Sequence, residues 1–187
     1  MFSKHTKKRG FTLIELVVSI FIFVTLAGLV IANFNRGAKS DDLRRAASEA
    51  ASVLRKAQNL ALIGSQQNLP AGAIATTGKF GVHFDKTAGT YQLFLDYQDG
   101  GDGGYDIGEE MSGAFYHLPE KVIINSLTPA GDFLDVTFWP PQPTIYFNNV
   151  TEPEDEAIIE LKHTKTDSLK YLKINRVSGR VSIEDQL

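Results

Sequence analysis

Three patterns of apolar and polar positions follow one another along the chain. From Phe11 to Ala32 nearly every residue is apolar, Glu15 and a few hydroxyls excepted. As a helix this stretch would be roughly 33 Å long, about the thickness of a bilayer's hydrocarbon core. Next, Leu43, Ala46, Ala47, Ala50, Val53, Leu54, Ala57, Leu60 and Ala61 recur at three- and four-residue spacing, with Arg44, Arg45, Glu49, Arg55 and Lys56 off the stripe. That spacing predicts an amphipathic helix continuing the first, its small residues suited to close approach to a sheet. Gly28 and Gly37 interrupt the pattern, and Ser40 with Asp41 and Asp42 offers an N-cap and a first turn, so a bend or local unwinding is predicted near Gly37.

After Gly64 the helical period disappears. A polar loop through Leu69, Pro70 and Gly72 leads to short runs rich in β-branched and aromatic residues: 80–84, 91–97, 121–127, 134–139, 144–147, 157–163, 168–177 and 180–183. Gly, Pro, Asn and Asp separate them, which predicts about six to eight strands. The last two runs meet at Ser178 and Gly179, a glycine-containing hairpin turn. The fold class is therefore α+β: a long N-terminal helix, half membrane-spanning and half amphipathic, packed on an antiparallel sheet domain. The expected division is 1–10 leader, 11–34 spanning helix, 35–64 amphipathic helix and 65–187 β-rich head.

Charge orients this arrangement. Lys4, Lys7, Lys8 and Arg9 precede the apolar segment, and cations beside a span are held on the cytoplasmic side, which places the rest outside that membrane. A secretory signal would show an apolar core of about 7–15 residues and a small-residue cleavage site; this core is longer and no clean A-x-A follows it. A carboxylate within a span costs about 2.5–3.5 kcal/mol or more at mid-bilayer, so Glu15 calls for a partner or a function. The alternatives are a plain signal anchor or a segment built around Glu15.

The run Gly10, Phe11, Thr12, Leu13, Ile14, Glu15, Leu16 resembles the leader and N-terminal helix of type IV pilins and type II secretion pseudopilins. The resemblance implies cleavage between Gly10 and Phe11 by a membrane-embedded prepilin peptidase, N-methylation of Phe11, and assembly with other pilin or pseudopilin subunits at an inner-membrane platform. Before assembly, membrane lipid surrounds the span. In a packed helical bundle the Glu15 carboxylate pairs with the α-amino group of Phe11 on a neighbouring subunit, satisfying two otherwise costly charges and fixing axial register. The proline that many major pilins carry partway along this helix is missing, and so is any disulfide, since the chain has no cysteine.

Two further stretches carry candidate chemistry. The segment YQLFLDYQDGGDGGYDIGEEM places Asp96, Asp99, Asp102, Asp106, Glu109 and Glu110 in a glycine-rich loop after a strand. Asp102, Gly103, Asp106, Gly108 and Glu109 fit the later positions of an EF-hand-type Ca²⁺ loop, while Gln98 and Gly100 occupy the first and third, where Asp96 or Asp99 could substitute. The other reading is an acidic solvated hairpin tip. Near the C-terminus Lys162, Lys165, Lys170, Lys173, Arg176 and Arg180 face a lone Asp167, a stripe that could contact DNA phosphates or simply protect a sheet edge. The strand ending in FLD, the D-G…D-x-G-E loop, Pro119 and the terminal Gly179, Arg180, Val181 resemble the GspH/FimT group of minor pilins and pseudopilins, some of whose members are implicated in DNA uptake.

The whole chain is formally −3, with 19 basic and 22 acidic residues, and loses four cations with the leader, which leaves 15 basic against 22 acidic, or −7. A globally nucleic-acid-binding protein is excluded. His83, His117 and His163 lie in separate β segments without metal-ligand spacing, and no G-x-S-x-G or phosphate loop occurs, so no catalytic role is expected. Trp139, beside Pro140, Pro141 and Pro143, is expected in the core. The triplet at Asn149 carries no weight.

Overall fold

The computed structural model describes residues 12–63, 67–68, 74–75, 79–97, 102–139, 144–148 and 154–185. The chain divides into two compact units, Met1–Ala38 and Lys39–Leu187. A single helical assignment, α1 (Leu13–Ile63), contributes to both. Helix passes through Gly28 and Gly37, so the restart predicted at Ser40 is not used. Thr12 opens α1 as its N-cap, its Oγ1 accepting the N–H of Glu15 at 3.3 Å. In the first unit Leu13–Val30 has a mean hydropathy of 2.6, is entirely unburied by protein, and is long and apolar enough to cross a membrane. Its hydroxyls are satisfied within the helix: Ser19 Oγ donates to Glu15 O at 2.7 Å and Thr25 Oγ1 to Ile22 O at 2.8 Å. Polar groups paired in this way are compatible with an apolar surrounding.

The second unit is an antiparallel β domain covered by the remainder of α1. Two-residue strands β1 (Gln67–Asn68) and β2 (Ile74–Ala75) pair with each other. The larger sheet joins β3 (Lys79–Asp85), β4 (Thr90–Asp96), β5 (Glu110–His117), β7 (Phe133–Trp139) and β8 (Thr144–Phe147) in the order β5-β4-β3-β7-β8. The smaller joins β6 (Val122–Thr128), β9 (Glu156–His163), β10 (Leu169–Asn175) and β11 (Val181–Glu184) in the order β11-β10-β9-β6. Eight of these strands are the expected runs, with ends shifted by a residue or two. β5 is the omission. Its sequence EMSGAFYH contains Gly113 at φ +73°, its register against β4 shifts between Gln92 and Phe94, and it is a mostly exposed edge, so it shows no alternating apolar face.

Apolar side chains of both sheets meet the α1 stripe in one core. Leu43, Ala46, Ala47, Ala50, Leu54, Ala57 and Ala61 are buried with Phe80, Val82, Leu93 and Val136 of the larger sheet and Ile159, Leu161, Leu172 and Ile174 of the smaller. Alanine at so many stripe positions lets the helix backbone approach both sheets, and burial of each large aliphatic side chain stabilises by about 1.5–3 kcal/mol. The C-terminal hairpin is tied to the helix directly: Arg55 Nη2 donates to Val181 O at 3.2 Å and Gln58 Nε2 to Gly179 O at 3.4 Å. Gly179, at φ +67°, makes the turn, and its N–H bonds Asn175 O at 2.9 Å.

Candidate functional site: the exposed helix and the outer sheet face

Gly10 and Phe11, the expected cleavage and methylation positions, lie outside the described residues. Glu15 sits in the first turn of α1, exposed, the one acidic residue in the Leu13–Val30 run. A carboxylate there interacts favourably with the helix N-terminus. Among the described residues it has no cationic partner, although the surface around it is apolar: Leu13, Phe21, Phe23 and Leu29 are all largely exposed. Such a surface needs lipid or other helices, and within either the carboxylate needs a cation.

The acidic loop does not hang free at a hairpin tip. Its described residues, 102–109, fold back over the outer face of the larger sheet, the face opposite α1. Thr137 Oγ1 donates to Gly103 O at 2.7 Å, the Gly103 N–H bonds Asp96 Oδ2 at 2.7 Å, and the Tyr105 N–H bonds Asp135 Oδ2 at 3.2 Å. Glu109, 2% exposed, closes the loop by accepting the Tyr97 N–H at 2.8 Å on Oε1 and the Asp106 N–H at 3.0 Å on Oε2. Asp102 Oδ1 accepts the Gly104 N–H at 2.8 Å. The expected ligands Asp96, Asp102 and Glu109 are thus bonded to backbone amides, and Asp106 is held through its own N–H. Asp99 lies outside the described residues. Among the described residues no group of three His, Asp or Glu side chains converges on a point that could hold a metal ion.

Two neighbours explain how this loop stays seated. The Phe94 ring fills the space beside Gly81, where a Cβ would lie 2.3 Å from its Cζ, and Tyr105 meets Phe94 edge-on with centroids 5.5 Å apart. Lys79, nearly buried, lies 3.9 Å from Asp96 Oδ2 and 3.5 Å over the Trp139 ring. Burial is the main cause that pushes the Asp96 carboxyl up to about 6; Glu109 and Asp102 push the same way, while the Gly103 amide and Lys79 oppose them. The Tyr105 hydroxyl, bonded to Glu110, is pushed up to about 12, chiefly by burial, and that bond holds the Glu110 carboxyl below its ordinary value.

The candidate DNA residues fall on or beside β10 and β11, and most are matched by acids. Lys170 pairs with Asp185, Lys173 Nζ with Glu184 at 2.8 Å, Lys162 Nζ with Asp167 at 2.8 Å, and Arg176 Nη2 lies 3.7 Å from Asp155. Arg180 lies near Glu184 and shares with Lys173, Asn175, Ser178 and Glu156 the lining of an open cavity of about 310 Å³. The Lys173–Glu184 bond raises the lysine above its ordinary value and lowers the glutamate. The stripe seen in sequence is therefore a set of ion pairs rather than a band of free positive charge.

Trp139 corrects an expectation: it is 42% exposed at the end of β7, because its side chain points to the outer face. The sequence reading passed over Lys79, Tyr105 and Asp135, and weighed His83 only as a metal ligand. Their signal is faint but present: Lys79, Gly81, His83 and Asp85 alternate along β3, and Asp135 and Thr137 interrupt the apolar run of β7. His83 Nδ1 lies 2.6 Å from Asp135 Oδ1, His117 packs against Phe115, and His163 is buried at the end of β9, so the three histidines do not converge.

Residues 5–31 match the family model of the prokaryotic N-terminal methylation motif. No curated protein and no solved structure matches the chain significantly. The matched segment contains Gly10, Phe11 and Glu15 and covers the Leu13–Val30 span, and the motif's family is structural rather than enzymatic. The methylation motif is followed by an apolar helix and an antiparallel β domain, an α+β arrangement like that of type IV pilins.

Proposed function

We propose that the chain is a minor pilin or pseudopilin subunit. Prepilin peptidase cuts it between Gly10 and Phe11 on the cytoplasmic side, Phe11 is N-methylated, and the mature subunit is drawn from the inner membrane by an assembly platform into a type IV pilus or a type II secretion pseudopilus. The observation that carries this reading is the fully unburied Leu13–Val30 surface with Glu15 as its one acidic residue, set within the methylation motif. The apolar surface rests in lipid before assembly and against neighbouring helices afterwards. Glu15 takes the Phe11 α-amino group of a neighbour as its counter-charge and so sets the axial step between subunits. The β domain faces outward from the filament and supplies surface chemistry, while the motor is a separate protein.

Intact-mass measurement on protein from strains with and without prepilin peptidase tests the first step. The expected mature form starts at a methylated Phe11 in the competent strain only; a Met1 N-terminus there would sink the proposal. Deletion then separates the two machines, by loss of piliation in one case and loss of secretion in the other. DNA uptake finds no support in the ion-paired C-terminal cations.

A further inference from the structure

We draw no further inference here: the strongest candidate, the open cavity of about 310 Å³ beside the β10–β11 hairpin lined by Glu156, Lys173, Asn175, Ser178, Arg180 and Glu184, carries nothing because Lys173 and Glu184 already pair with each other and its matched cations and carboxylates select no occupant.

Discussion

Phe94 occupies the space that a side chain at Gly81 would need: a Cβ there would lie 2.3 Å from Phe94 Cζ and 2.4 Å from Cε1. Gly81→Ala therefore pushes the Phe94 ring out of place and with it Tyr105, which rests on that ring. A loss of about 1–3 kcal/mol is expected, read as a lower melting temperature. Adding Phe94→Leu should return part of the loss, and a double variant no better than Gly81→Ala would show that the contact is not the cause.

Asp96 gives the head a pH dependence with a definite sign. Its carboxyl is raised from 3.8 to about 6 on folding, so the folded state holds the proton more tightly than the unfolded chain. The stabilisation this gives is complete below about pH 3.8 and is lost as pH rises through 6. Asp96→Asn, which keeps an acceptor for the Gly103 amide, should raise stability near pH 8 by on the order of 2 kcal/mol and change little near pH 4. Melting curves of both proteins from pH 4 to 8 check this; parallel profiles would contradict it.

Calcium should leave the loop unchanged. Asp96, Asp102 and Glu109 already accept backbone N–H groups, and turning them toward an ion would break those bonds. Calorimetric titration of the full chain is expected to show no saturable heat up to about millimolar Ca²⁺, the weak end of loop-type affinities. Saturable heat abolished by Asp102→Ala would establish a calcium site instead.

Glu15→Leu should separate insertion from assembly. Removing the carboxylate eases membrane entry of the Leu13–Val30 segment, yet deprives the neighbour's α-amino group of its counter-charge. Membrane-fraction levels and processing should hold, while the amount recovered in sheared or pelleted filaments falls roughly tenfold, the effect of about 1.4 kcal/mol. Normal incorporation would remove Glu15 from the assembly argument.

The parts of this molecule that were legible in the sequence are those governed by short-range periodicity. The stripe from Leu43 to Ala61 is buried as its spacing requires, Leu60 only partly, because every fourth or third residue must face one way on a helix. Eight strands followed from β-branched runs between turn residues. β5 did not, because an exposed edge carrying Gly113 has no apolar side to reveal itself. The outer face was hidden for another reason. Asp96 meets Gly103, His83 meets Asp135 and Lys79 meets Trp139 only once the loop has folded back and the strands are in register, and no local pattern encodes those meetings. The C-terminal cations misled for a related reason: Lys173 and Lys170 find Glu184 and Asp185 across a hairpin, not along the chain.

The bonds from Arg55 to Val181 and from Gln58 to Gly179 span 126 and 121 residues. They set a timetable for biogenesis. The helix leaves the ribosome first, yet the partners for its polar flank arrive with the final hairpin. Until those last strands are made, the alanine-lined stripe from Leu43 to Ala61 lacks the cover completed by β11. A chain stalled before residue 179 would carry the apolar helix without a finished β domain.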